Sequence, residues 1–151
     1  MHSWTPEPRK TDFFETTSCF RRFTKMSSYQ GGCHCGSVRF EVTGEIEELV
    51  VCNCSICSKT AYLHWEVDPD RFTLLTPESV MRNYQFGTMT SKNYFCEKCG
   101  VSAFRHSRTS PENVDINVRC LDGVDAEALA QKLPVEHFDG QNWEQAAKDD
   151  R

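Results

Sequence analysis

The 151-residue sequence has no apolar run approaching the roughly 18 residues that a membrane-spanning helix requires. Residues 1–26 also lack the continuous apolar stretch of a secretory signal. No internal repeat and no low-complexity tract is visible, so solenoid and collagen-like architectures are excluded. Positive charge is in short supply: 17 Lys and Arg face 22 Asp and Glu, a net charge of -5. Residues 1–26 hold five basic and three acidic residues, which leaves the rest of the chain near -7. A body this acidic repels phosphate backbones and argues against direct nucleic-acid binding. Together these absences predict an intracellular protein, cytoplasmic in the first instance, with nuclear and organellar locations left open.

Cysteine, by contrast, is plentiful. Of nine cysteines, seven fall in three tight clusters: "GGCHCG" (Cys33, Cys35), "CNCSIC" (Cys52, Cys54, Cys57) and "CEKCG" (Cys96, Cys99). Disulfide frameworks suit short secreted chains, and an intracellular chain keeps its thiols reduced and free to bind metal. Cys-x-Cys and Cys-x-x-Cys spacings let neighbouring thiolates turn toward one ion. Zinc takes four ligands in a closed structural site and three, plus an exchangeable position, in a typical catalytic site. Seven thiolates divide most simply into four plus three, giving two zinc ions per chain.

The middle cluster can face one ion unaided. The outer pairs, about sixty residues apart, then combine as Cys33, Cys35, Cys96 and Cys99 around a structural zinc. Cys52, Cys54 and Cys57 are left one ligand short, with a vacant position suited to a soft, exchangeable partner such as an incoming thiolate. His34 or His64 could complete that shell and make both ions structural; His64 could equally serve as an acid/base group. His34 lies between two ligands and is expected to point away. Lys59 and Lys98 stand beside the clusters and are expected to be solvated.

The rest of the chain reads as short strands. "SVRFEV" alternates Val38, Phe40 and Val42 with polar residues, the pattern of a half-buried strand. Similar runs recur at 48–52, 63–67, 71–75, 81–86, 92–96, 101–106 and 114–121, punctuated by Gly, Pro, Asn and Asp. Strands without intervening helices predict antiparallel sheets and a mainly β fold. One short C-terminal helix is expected at "DAEALAQKL", capped by Asp125 and stopped by Pro134. A last turn carrying Trp143 is expected in "FDGQNWE". In "VDINVRC", Cys120 is in phase with Val114, Ile116 and Val118 and is expected in the core. Asp115, Asn117 and Arg119 occupy the other face, expected to be solvated more readily than to line a cleft. Residues 1–26, including Cys19, are expected to form a disordered leader, with organelle targeting as the other reading. The domain then covers 27–145, followed by a tail at 146–151.

"GGCHCGSVRFEV", "CNCSIC", "YFCEKCGVSAF", "VDINVRCLDG" and "FDGQNWE" together resemble the glutathione-dependent formaldehyde-activating enzyme/centromere protein V family, from about Gln30 to Glu144. "CSICSKTAYLHWEV" and "FDGQNWE" place the resemblance nearest the centromere protein V branch. The resemblance implies a β-tent, small sheets meeting over zinc. It also implies the same division of cysteines, four on a structural zinc and three on an exchangeable one. The reaction it implies joins formaldehyde and glutathione as S-hydroxymethylglutathione, a carbon–sulfur lyase chemistry with a small thiol as partner. The alternative is a non-catalytic, zinc-stabilised adaptor module. Neither the residues nor the resemblance sets an oligomeric state.

Overall fold

The computed structural model describes residues 26–144. The expectations for Cys19, for the leader up to residue 25 and for the tail after Glu144 lie outside the described residues. No helix among the described residues is long and apolar enough to cross a membrane.

Among the described residues, ten strands form two sheets. The smaller contains β1 (Ser28–Gly32), β2 (Arg39–Thr43) and β5 (Phe72–Leu74), antiparallel in the order β1-β2-β5. The larger adds β3 (Leu49–Cys52), β4 (His64–Val67), β6 (Met81–Tyr84), β7 (Lys92–Cys96), β8 (Phe104–His106), β9 (Val114–Asn117) and β10 (Val135–Phe138). Its order is β10-β3-β4-β9-β8-β7-β6. Every pairing is antiparallel except β10 on β3, so the large sheet is mixed.

The core lies between the sheets. Phe40 and Val42 from the small sheet are fully buried against Trp65, Phe104, Val114 and Ile116 from the large one. Phe40, Phe72 and Phe104 pack as a ring trio with centroids 4.8–6.1 Å apart, offset or edge-on as aromatic quadrupoles prefer. Burying side chains of this size stabilises by about 1.5–3 kcal/mol each, which makes this seam the main apolar support of the domain.

The helix forms where expected: α2 (Ala126–Lys132) follows Asp125, whose Oδ1 accepts from the Ala128 amide at 3.0 Å. A one-turn helix, α1 (Cys57–Thr60), was not expected. Two readings of the 114–121 segment need correction. The strand ends at Asn117 and a 3-10 turn carries Val118–Cys120, so the two-residue phase is lost and Cys120 is only half-buried. Its neighbours on the polar face are not uniformly solvated either: Asp115 and Asn117 are buried, and only Arg119 is exposed. The reason is what lies over that face of the large sheet.

Candidate functional site

The two outer cysteine pairs come together. Cys33 and Cys35 sit in the turn between β1 and β2, closed by Cys33 N–H donating to Val38 O at 3.0 Å. Cys96 ends β7 and Cys99 lies in the turn after it, closed by Gly100 N–H donating to Cys96 O at 2.9 Å. Cys35 Sγ stands 3.6 Å from both Cys33 Sγ and Cys96 Sγ. The four sulfurs lie within 4.8 Å of one another. A tetrahedral ion with sulfur ligands at about 2.3 Å spaces those sulfurs about 3.8 Å apart, so this cluster fits a metal. Hydrogen bonding from Ser37 pulls the Cys35 thiol down to about 6, while burial pushes Cys96 up to about 11.

The middle trio forms a second group. Cys52 ends β3, Cys54 lies in the following turn and Cys57 opens α1; their sulfurs also lie within 4.8 Å of one another. Among the described residues no histidine joins either group: His34 and His64 both stay out. Three thiols this close compete for charge. Hydrogen bonds from Cys52 and Cys57 draw Cys54 far below the usual thiol range, and the same bonds push Cys57 far above it. A cation would let all three ionise, so the donor chemistry fits a metal.

The trio differs from the quartet in what surrounds it. Cys52 and Cys54 line a cavity of about 440 Å³, within the range of small-molecule sites. Its floor is the polar face of the large sheet. The register sets Val50 beside His64, Glu66 beside Asp115, and Asp115 beside Arg105, with all these side chains lining the same cavity. Its walls include Phe86 from the β6–β7 hairpin, Arg108 from the segment after β8, and Trp143. The Arg108 guanidinium lies 3.7 Å from the Trp143 ring centroid, a cation–π contact that joins two of these walls.

The C-terminal segment is clipped directly onto the cysteine loop. Asn53 Nδ2 donates to Asp139 Oδ1 at 2.9 Å, and Gln141 N–H donates to Asn53 Oδ1 at 2.9 Å. Gly140 comes so close that a Cβ there would overlap Cys52 Sγ and lie 2.8 Å from Cys54 Cβ. The expected turn in "FDGQNWE" is a 3-10 turn at Gly140–Asn142, and its place over the trio explains the need for glycine.

A buried charged group occupies the floor. His64 Nδ1 and Arg105 Nε both lie 2.8 Å from Asp115 Oδ2, and Arg105 Nη1 donates to Cys57 Sγ at 3.0 Å. Burial alone would raise the Asp115 carboxyl, but His64 and Arg105 reverse that and hold it below the ordinary range. An ionised Asp115 only accepts, so His64 carries its proton on Nδ1. His64 Nε2 and Asp115 Oδ1 are buried with no hydrogen-bond partner among the described residues. Two unpartnered buried polar atoms beside a cavity call for a partner from water or ligand.

Sequence reading missed Arg105, whose only signal was its polar phase in "AFRH". Cys120 takes no part in either cluster, and burial pushes its thiol up to about 11.

Comparison with known proteins agrees with this architecture. The model of the family described as glutathione-dependent formaldehyde-activating enzyme matches residues 28–138. The chain belongs to that family. A crystal structure of a protein from Rhodobacter sphaeroides is similar, with a TM-score of 0.64 and 30% identity, covering 70% of this chain and 98% of that one. The family match spans both cysteine groups and most of the cavity floor. Its last matched residue, Phe138, falls just before the turn that closes over the trio.

Proposed function

We propose that the protein is a carbon–sulfur lyase acting on a hydroxymethyl-type adduct of glutathione or a similar small thiol, with two zinc ions per chain. The observation that carries this reading is the three-sulfur group at the wall of a cavity whose floor presents His64 Nε2 unpartnered. Zinc on Cys52, Cys54 and Cys57 would offer a soft position for the substrate sulfur and stabilise charge on it.

The protein's own groups account for the proton. In the cleavage direction, His64 Nε2 takes the hydroxyl proton of the adduct. The carbon–sulfur bond breaks, its electron pair stays with sulfur and the aldehyde leaves. In synthesis the same imidazole returns that proton to the new hydroxyl. Asp115 keeps the imidazole in the required tautomer by accepting at Nδ1. General acid–base help of this kind contributes about 10²–10⁴-fold. The family's name, with glutathione and formaldehyde in it, supports the same substrate class.

The test is formaldehyde release from S-hydroxymethylglutathione, with the uncatalysed rate subtracted, by wild type, Cys54→Ser and His64→Gln. Cys54→Ser is expected to keep its fold and lose turnover; His64→Gln should fall at least about 100-fold while keeping its metal. A wild-type rate no better than buffer removes the enzyme reading and leaves the adaptor module.

A further inference from the structure

Arg105 has no part in the reaction as written above, yet it is the most tightly held cation among the described residues. Its side chain is 12% exposed and reaches across three elements. Nε donates to Asp115 on β9, Nη1 donates to Cys57 at the start of α1, and the guanidinium lies 5.1 Å from the Tyr62 ring centroid. The Tyr62 hydroxyl donates in turn to the Asp115 carbonyl at 2.9 Å, bracing the strand that carries the carboxylate. Burying a guanidinium is costly unless every contact is matched, so a site that keeps one needs its charge there.

We propose that Arg105 is a positioning residue for the metal on the three-sulfur group. It fixes the Cys57 sulfur as a ligand and offsets the negative charge of the thiolates, so that a fourth, anionic sulfur can join them. Three thiolates around a divalent cation carry a net charge of -1, and an incoming thiolate meets repulsion. Arg105, shared between Asp115 and Cys57, sets a positive charge against the Cys57 sulfur and offsets part of that repulsion before the fourth ligand arrives. Among the described residues no Arg or Lys side chain hydrogen-bonds a sulfur of the quartet: Cys33 accepts from the uncharged Val38 amide at 3.2 Å. That cluster is already filled by four protein sulfurs and has no fifth ligand to admit.

The fork geometry is also required. Nε and Nη1 serve two different acceptors, Asp115 and Cys57, whereas a lysine ammonium is a single point on a flexible stem. The link through Asp115 Oδ2 ties Cys57 to His64, so the metal ligand and the proton acceptor are held by one side chain.

This inference rests on the trio binding an ion, but not on turnover, so it can fail while the lyase reading stands and survive if that reading falls. The experiment loads full-length wild type, Arg105→Lys and Arg105→Gln with cobalt(II). The sulfur-to-cobalt absorption is followed during chelator competition and glutathione addition, and Cys54→Ser protein supplies the spectrum of the four-sulfur site alone. Both Arg105 variants are expected to bind the second ion about 10–100-fold more weakly. The four-sulfur band should be unchanged. Glutathione should shift the remaining band in wild type, less in Arg105→Lys and not at all in Arg105→Gln. Wild-type affinity and a wild-type glutathione shift in Arg105→Gln overturn the proposal. So does loss of both ions together in both variants, which would make Arg105 a support of the fold alone. If only Arg105→Gln fails to fold, Arg105→Lys, which keeps the buried charge, decides between these outcomes.

Discussion

The two cysteine groups offer the same donor atom at similar spacing, yet they sit in different surroundings. The quartet draws its sulfurs from two turns that sequence separates by about sixty residues, and it staples β1–β2 to β7. The trio comes from one loop and staples nothing distant; it faces a cavity and contacts Arg105. Their turns differ as well. Cys35 and Cys99 are each followed by a glycine at positive φ, Gly36 at 77° and Gly100 at 75°. The loop holding the trio instead closes at Ala61, which takes φ 50°, a left-handed conformation that a Cβ disfavours. Under the proposed function, long-range closure and relaxed turns suit a group that holds the fold, and local closure, some strain and an open side suit a group available for exchange.

The largest expected effect tests the holding role. Cys96→Ser removes a fully buried sulfur from the quartet. Structural zinc contributes on the order of 10–16 kcal/mol, more than a small domain's whole stability, so this variant should lose cooperative unfolding in calorimetry. A Cys96→Ser protein that melts like wild type, beside an unfolded Cys54→Ser, would reverse the two assignments.

A smaller effect comes from the close approach over the trio. Gly140→Ala places a methyl against Cys52 and Cys54, so the clipped segment must shift. Overpacking of this kind costs about 1–3 kcal/mol. Thermal melting should show that loss, and chelator competition should show weaker metal retention at the trio with the quartet untouched. An equal weakening of both sites would mean that the two groups are not independent.

The smallest effect has the opposite sign. Ala61→Gly relieves the left-handed residue and should stabilise by about 1 kcal/mol, read as a shift in denaturant midpoint. If the strain belongs to the exchangeable site, the same variant should loosen the geometry of the trio and broaden its cobalt(II) spectrum. A midpoint that falls would place no strain at Ala61.

Much of the fold could be read from alternation, because β2 to β9 each carry an apolar face into one core. Two strands escaped. β1 ("SYQGG") has too little apolar content to show a period, and β10 ("VEHF") finds its place only by pairing in parallel with β3. The cysteine clusters were legible because neighbouring cysteines two or three apart are a local signal. Their polar neighbours were not. Asp115 and Arg105 alternate with apolar residues as any solvated strand residue does. Nothing local tells that the β6–β7 hairpin, the segment after β8 and Trp143 will stand around them.

Sequence by itself therefore determined the strand-rich class, the capped helix and which sulfurs belong in which loop, since each depends on residues a few positions apart. Only the tertiary structure decided that a polar sheet face becomes the floor of a cavity, and that one arginine joins a cysteine to an aspartate and a histidine. Those outcomes depend on distances between segments far apart in the chain, which strand order and register set and which no short window of residues contains.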